Sequence, residues 1–485
     1  MNGELMRKIK EAIREEHLIK LIDIEKIDVE NERVIPTLEQ IQSFARSIGV
    51  SEGCFYYVNK ELPTFCFYDF PVFVSFDAWE EEVFNILRIK ERVLHLKSIA
   101  EISFEKENFD DLFFFTEDSV KIMLFNKLYW LLPDEVKYQK YMDIYINMDY
   151  GHELIDRKII NDVWNHQPIS EKTKIKKELD CVNQENQITI YRGEGALSTP
   201  NYLAMSWTTS LNVACYFATR IRSDLTGRIY KAKIKKDLVL NYENSRKEQE
   251  VIINPTQLKD VKEIRMAGLN DELELLQSEG YLDEYYIYKN TFIKEKHYRN
   301  PGGIHGVEHV KRVLFHSISM SRVLGLSDAE RAILANASIY HDIGRKHDDS
   351  CTMHGEWSWI KFIQIQSKRK YSLLMSINCV IKRRMGEKEG YELKVLNRDE
   401  ENIVRFLVEY HCRDDRDGKL ALDNMHLGSQ MKELYWRLYL IFKDCDGLDR
   451  VRLSVDELDV EYFRTTEAKE RLLLAHQLKN ASHQL

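Results

Sequence analysis

The stretch "ILANASIYHDIGRKHDDSCTMHGE", residues 333–356, runs an apolar segment into His341 and Asp342, then Gly344, and reaches a further His-Gly pair at His354. Ser327, followed three residues later by Glu330, forms a capping box that starts a helix. Ile333, Ala337 and His341 then share one helical face at i, i+4 spacing. His341 therefore points inward with the core, Asp342 stands beside it at the helix end, and Gly344 is the candidate C-cap. Burying a carboxylate is costly unless it is paired or ligates a metal. A cation is the simplest partner.

The neighbouring text supplies more ligands. "GGIHGVEHVKRVLFH" places His305, His309, Arg312 and His316 at helical spacing, a single stripe if the helix starts early. His316 reads as a core or surface histidine rather than a ligand, and His347, Asp348 and Asp349 read as an exposed loop. "LVEYHCRDD" offers His411 after an apolar run, and "LYWRLYLIFKDCDGLDRVRL" runs into Asp444, Asp446 and Asp449. Neutral imidazole with carboxylate suits a divalent transition metal (Mn, Fe, Co, Ni or Zn) rather than a thiolate-seeking one.

The order His309, His341-Asp342, His354, His411, Asp446 resembles the HD superfamily of metal-dependent phosphohydrolases, an all-α fold. The resemblance implies that His309, His341, Asp342 and Asp446 hold the metal. His354 and His411 fall where two-metal members carry further ligands, Asp444 would lie just behind the ligands, and His305 and Arg345 would face phosphate. In such a site the metal polarises a phosphoryl oxygen and lowers the pKa of a bound water.

A second constellation lies upstream. In "ITIYRGEG" a strand delivers Arg192 just before a glycine-flanked turn, and a planar guanidinium suits a phosphate or pyrophosphate. "MSWTTSLNVACYFATR" reads as a short hydroxyl-rich strand, then a helix capped by Ser210 or Asn212 with an apolar face of Val213, Phe217 and Ile221. "RKEQEVIINP" puts Glu248 and Glu250 on one side of a strand. Singly, these pieces read as a surface ion pair, an exposed strand and a solvated edge.

In order, they resemble the arginine-serine-glutamate branch of the ADP-ribosyltransferases, over roughly residues 120 to 285. The resemblance implies that Arg192 grips the phosphate of NAD and that Thr208, Thr209 and Ser210 frame the nicotinamide pocket. It also makes Glu250 catalytic and has Glu248 orient the acceptor, arginine on a protein being favoured. Thr208-Thr209-Ser210 replaces the usual Ser-Thr-Ser, and Ser206 is the second candidate for its leading serine. Cleaving the nicotinamide–ribose bond builds positive charge on the ribose, which a carboxylate such as Glu250 stabilises, while Glu248 is the general-base candidate. No glycine-rich dinucleotide fingerprint occurs, which argues against a Rossmann-type dehydrogenase.

Composition frames these sites. A chain of 485 residues exceeds one ordinary domain, and 44% hydrophobic residues with only 8 prolines predict a folded, helix-rich protein. The net charge of −9 argues against a general grip on nucleic acid, although residues 361–398 form a local basic patch that a solvated helix face would also explain. The 8 cysteines contain no Cys-x-x-Cys pair, and no window approaches a membrane span. A reducing, cytoplasmic setting without membrane contact is therefore expected.

The expected architecture is multidomain. A mixed α/β region of unknown fold and role (1–119), containing the strand-like aromatic block "GCFYYVNKELPTFCFYDFPVFVSF", precedes an α+β ADP-ribosyltransferase-like domain (120–285) and an all-α HD-type metal domain (286–485), with a loop at Asn300-Pro-Gly-Gly. The expected function is a bifunctional enzyme, a toxin or defence effector, that transfers ADP-ribose from NAD to a protein, nucleic acid or small molecule and hydrolyses a phosphoester or nucleotide. Three alternatives stand beside it: an HD domain that senses a nucleotide and gates the transferase, a phosphohydrolase with an inactive transferase-like domain, and a binding scaffold docked through its N-terminal region.

Overall fold

A computed structural model of the chain describes residues 12–26, 37–60, 64–76, 83–148, 150–196, 198–220, 225–370 and 393–481. The aromatic block folds as strands, because alternate rings pack on one buried face. Four strands, β1 (Leu18–Lys20), β2 (Phe55–Val58), β3 (Thr64–Asp69) and β4 (Val72–Phe76), pair antiparallel in chain order. Phe55 faces Phe67 and Phe67 faces Val74. Near the N-terminus, "LMRKIKEAIREEHLIKLI" has helical period over residues 5–22, yet Leu18–Lys20 is extended, held by the pairing of Leu18 with Val58.

Helices α1 (Leu38–Ile48), α2 (Val83–Glu105), α3 (Asp110–Phe115), α4 (Asp118–Leu128), α5 (Asp134–Asn147) and α6 (Arg157–Val163) share one core with this sheet. The core runs from Ile13 past Val163 to Met205, Leu240 and Ile252, and Phe113 of α3 packs on Phe125 of α4 at 5.9 Å between ring centroids. Packing therefore does not divide at the expected 119/120 boundary.

The second sheet follows helix α7 (Ile169–Val182). Its strands are β5 (Gln187–Glu194), β6 (Ser206–Thr208), β7 (Arg228–Lys235), β8 (Val239–Glu243), β9 (Glu250–Ile253) and β10 (Lys259–Ile264), ordered β10-β7-β5-β6-β9-β8 and antiparallel throughout. Helix α8 (Leu211–Ala218) crosses β5 so closely that a Cβ at Gly193 would sit 1.8 Å from the Ala214 carbonyl oxygen. Ser210 caps α8 as expected, accepting from the Val213 N–H at 3.3 Å. The buried face of α8 is Asn212, Val213, Ala214, Cys215 and Ala218, while Ile221 lies outside the described residues.

The remainder is helical: α9 (Leu269–Ser278), α10 (Tyr281–Phe292), α11 (Val307–Val323), α12 (Asp328–Tyr340), α13 (His354–Lys370), α14 (Arg398–Tyr410), α15 (Asp415–Asp423), α16 (Ser429–Leu448), α17 (Thr466–Glu470) and α18 (Leu472–Ala481). Leu276 of α9 and Tyr285 of α10 are buried with Val310 and Phe315 of α11, so the expected 285/286 boundary falls inside a helix that packs with the bundle. Ala214, Cys215 and Ala218 of α8 share a core with Val313, Leu438 and Leu472. The bundle and the second sheet are thus packed directly together. Among the described residues no helix is long and apolar enough to cross a membrane.

The basic patch is only partly described: Lys382, Arg383, Arg384 and Lys388 lie outside. Lys361, expected to belong to it, instead donates to the carbonyls of His297 at 2.6 Å and Ile343 at 2.8 Å.

Candidate metal centre and carboxylate site

Helix α12 begins with the expected capping box, the Ser327 Oγ accepting from the Glu330 N–H, and ends at His341. Gly344 is not a left-handed cap. A Cβ there would lie 2.2 Å from the Ser358 nitrogen, so glycine serves the close passage of α13, and its N–H donates to the Ser358 Oγ at 2.9 Å. Helices α11, α12, α13, α14 and α16 each bring an end or inner face to one buried point.

At that point the imidazole Nε2 atoms converge in two pairs. His309 and His341 stand 3.0 Å apart, and His354 and His411 stand 2.9 Å apart. Asp342 lies between the pairs: Oδ2 is 3.5 Å from His309 and 3.6 Å from His341, and Oδ1 is 3.1 Å from His354 and 3.6 Å from His411. Asp446 Oδ1 is 3.4 Å from His309 and 3.7 Å from His341. Every metal residue expected from the sequence is therefore in one cluster.

The opposite ring nitrogens settle the chemistry. Nδ1 of His341, His354 and His411 each faces a carbonyl, of Ser338 at 2.8 Å, Cys351 at 2.6 Å and Val408 at 2.7 Å. A carbonyl only accepts, so each Nδ1 carries a hydrogen, and in the neutral form of the ring the Nε2 lone pair turns inward. His309 Nδ1 faces the Asp449 carboxylate at 2.7 Å with the same result. Lone pairs face each other at 2.9–3.0 Å, an arrangement that repels unless a cation or proton sits between them. Burial keeps His341 in the neutral form, its pKa pushed down to about 3. Burial would raise the Asp342 carboxyl, yet its surroundings, among them the hydrogen bond with His305 Nδ1 at 2.9 Å, outweigh it and hold it well below the usual range.

The donor set fits a divalent transition metal. His309, His341 and Asp446 form one group, His341, Asp342 and His411 another, and the ligand atoms within each group lie within 4.8 Å of one another. A bridging carboxylate between two imidazole pairs suits two ions.

Residues behind the ligands were only partly legible. Asp449 anchors His309 and is gripped by Arg312, Nε to Oδ1 at 2.5 Å and Nη2 to Oδ2 at 3.1 Å. The i, i+3 spacing of His309 and Arg312, matched by Asp446 and Asp449, was the available signal. Asp444, expected behind the ligands, points away instead: its carboxylate accepts from the backbone N–H groups of Arg464 and Thr465, because α16 turns it toward the following segment. Cys412 was unforeseen; its sulfur groups with His354 and His411.

His305 precedes the first residue of α11, so the helical stripe starts at His309, but His305 still reaches Asp342 Oδ2 at 2.9 Å. Arg345 donates from Nε to Asp342 Oδ1 at 2.9 Å. His316 is a core histidine as read, fully buried, with neither ring nitrogen partnered among the described residues and its pKa pushed down by burial to about 4. A cavity of about 280 Å³ opens at Asp342, lined by Tyr298, Arg299, Asn300, His305, Arg345, His347 and Asp348.

The second constellation also assembles. Thr208 of β6 stands opposite Glu250 of β9, and the Ser206 Oγ donates to Glu250 Oε1 at 2.5 Å. Ser206, the second candidate, is thus the hydroxyl that touches the carboxylate. Thr208 donates to the Glu248 carbonyl at 2.7 Å and Thr209 to the Gln249 side chain at 2.6 Å, so these hydroxyls pin the turn before β9.

Glu248 is not on the strand with Glu250 as expected. It lies in the preceding turn, where Lys247 (φ 60°) and Gln249 (φ 48°) take left-handed backbone that costs L-residues about 1–2 kcal/mol each. Both carboxylates face Arg246, at 3.3 Å for Glu248 and 3.4 Å for Glu250. Burial raises the Glu248 carboxyl above its ordinary value despite Arg246.

Arg192 sits on β5 as read, but its fork is already engaged: Nη1 donates to the Ser206 carbonyl at 2.7 Å and Nη2 to the Thr199 carbonyl at 2.6 Å. Its Nε is buried without a hydrogen-bond acceptor among the described residues, 3.8 Å from Glu194 Oε1. Tyr145 of α5, unforeseen, joins this group; burial, with the nearby Glu250 charge adding, keeps its phenol protonated. Comparisons with protein-family models, curated proteins and solved structures find no match to this chain.

Proposed function

We propose that the chain is a bifunctional enzyme, a metal-dependent phosphohydrolase of the HD type joined to an ADP-ribosyltransferase of the Arg-Ser-Glu type. One observation carries the reading: four inward-facing imidazole lone pairs with fixed tautomers surround one buried carboxylate, Asp342. A structural role alone does not account for lone pairs opposed at hydrogen-bond distance.

His309, His341, Asp342 and Asp446 would hold one divalent ion and His354, His411 and Asp342 a second. Such ions supply the charge that polarises a phosphoryl oxygen and acidifies a water. His305 and Arg345, on the wall of the cavity beside Asp342, bind and orient the phosphoester.

In the transferase half, Ser206 holds Glu250 where a ribose hydroxyl would lie, and the carboxylate offsets positive charge as the nicotinamide–ribose bond breaks. Nicotinamide leaves with the bond's electron pair. The acceptor's nitrogen or oxygen bonds to the ribose carbon, and its proton passes to Glu248, whose raised pKa suits a general base. A toxin or defence role, and arginine on a protein as acceptor, are part of the same proposal.

The test uses the purified chain loaded with Mn²⁺, NAD labelled in the adenylate phosphate, cell lysate, and a panel of phosphomonoesters, phosphodiesters and nucleotides. Glu250→Gln should abolish transfer of label to macromolecules while phosphoester hydrolysis stays measurable, and His341→Ala should abolish hydrolysis while transfer, at whatever rate, stays measurable. Protease or nuclease sensitivity of the product names the acceptor class. If His341→Ala abolished control of transfer and no phosphoester were turned over, the bundle would be a sensor rather than a second enzyme.

A further inference from the structure

Beyond two separate activities, one short segment touches both sites. It begins at the turn Asp449–Arg452 that ends α16. Asp449 holds His309 Nδ1 at 2.7 Å, and Arg452 braces the turn by donating to the Asp449 carbonyl at 3.0 Å and the Ile304 carbonyl at 2.8 Å. The metal centre and this turn are therefore one hydrogen-bonded unit.

The chain then runs directly to the carboxylate site. The Val455 carbonyl accepts from Asn212 Nδ2 at 2.7 Å, and Asn212 is 1% exposed with its Oδ1 held by His476 Nε2 at 2.8 Å. Asn212 lies two residues beyond Ser210, at the start of the helix that the hydroxyl motif caps. The next residue, Asp456, is fixed by the Ser454 Oγ at 2.5 Å and receives Lys247 Nζ at 2.7 Å. Lys247 is one of the left-handed residues of the turn carrying Glu248. Backbone of that kind persists only where contacts over-determine it.

We propose that residues 453–456 couple occupancy of the metal centre to the conformation of the Glu248–Glu250 turn, so that each site senses the other. The proposal rests on the metal-centre reading above; its consequence for transfer rests on the transferase reading. The opposed lone pairs of His309 and His341 make the load on His309, and through it on Asp449, depend on whether a cation lies between them. Lys247–Asp456 is the solvent-side tether and Asn212–Val455 the buried one. Coupling of this kind is reciprocal.

The test is amide hydrogen exchange on the chelator-stripped full chain, with and without Mn²⁺ alone, comparing wild type, Lys247→Met, Asp456→Asn and the charge-exchanged pair Lys247→Asp with Asp456→Lys. Mn²⁺ should slow exchange across residues 244–250 by roughly fivefold or more in wild type, less in either single variant, and again in the pair. The inference is overturned if Mn²⁺ slows exchange around His309 and His411 but leaves 244–250 unchanged, or if it slows neither region. NAD turnover is followed separately. Metal-dependent exchange at 244–250 without NAD turnover would sink the transferase reading and leave the coupling standing; turnover indifferent to both Mn²⁺ and the tether variants would sink the coupling alone.

Discussion

An imidazole is a ligand only if its far nitrogen has been told which tautomer to adopt, and in this protein three carbonyls and one carboxylate do so. Asp449→Asn offers an amide where His309 Nδ1 needs an acceptor and leaves Arg312 without its charge partner. Changes behind a ligand typically weaken metal affinity by about 10–100-fold, and equilibrium dialysis with Mn²⁺ should show a loss in that range. Retained affinity would mean that His309 is held by other contacts. Ser206→Ala removes the hydroxyl from Glu250; a hydrogen bond to a charged group is worth about 1.5–3 kcal/mol, so the kcat for label transfer should fall by at least about 10-fold with little change in KM. The candidate ligands were legible in the sequence, since His341 and Asp446 follow apolar helical runs and His309 opens a helix at the spacing that Arg312 and His316 continue. Their backbone anchors were not, because any residue offers the same carbonyl.

Between elements, glycines mark where backbones touch. A Cβ on Gly355 would meet the Val408 carbonyl oxygen at 2.4 Å, where α13 crosses α14 just beside His354 and His411. Gly355→Ala should push the helices apart, cost about 1–3 kcal/mol of stability in denaturant titration and disturb the His354–His411 pair more than the His309–His341 pair. Between α8 and α18 the joint is His476, whose pKa burial pushes down to about 3 from an ordinary 6.5. The unfolded chain then binds a proton more readily than the folded one. Stability is fully present above pH 6.5 and falls as pH drops toward 3, by up to about 1.4 kcal/mol per unit. His316 contributes with the same sign. Urea midpoints at pH 7 and pH 5 should therefore differ less in His476→Gln than in wild type, and an equal difference would refute the assignment.

For the whole molecule, the second sheet and the helical bundle share apolar contacts from Ala214 to Leu472 as well as the Asn212–Val455 and Asn480–Thr219 hydrogen bonds. Residues 187–481 should accordingly unfold in one transition. A ligand at 100 times its Kd adds about 2.7 kcal/mol, so Mn²⁺ should raise a single Tm covering both parts, read by calorimetry and by proteolysis of 187–264 and 307–448 through the melt. Two transitions, only one of them moved by Mn²⁺, would contradict a shared core. The exposed Phe114 and Trp130 of the N-terminal region follow from no contact described above.

By itself the sequence determined what local rules govern: the capping box at Ser327, the helical period that turns His309 and His341 inward, and the strand alternation around Phe55–Phe76. It also singled out, by their order along the chain, the histidines and aspartates that the structure gathers into groups able to hold a metal ion. Only the tertiary structure decided that Asp342 bridges two imidazole pairs, that Ser206 rather than Thr208 meets Glu250, that Glu248 leaves the strand, and that the cores run past residues 119 and 285. Those outcomes depend on which surfaces meet across separations such as 137 residues between Arg312 and Asp449, and no local pattern encodes such a meeting.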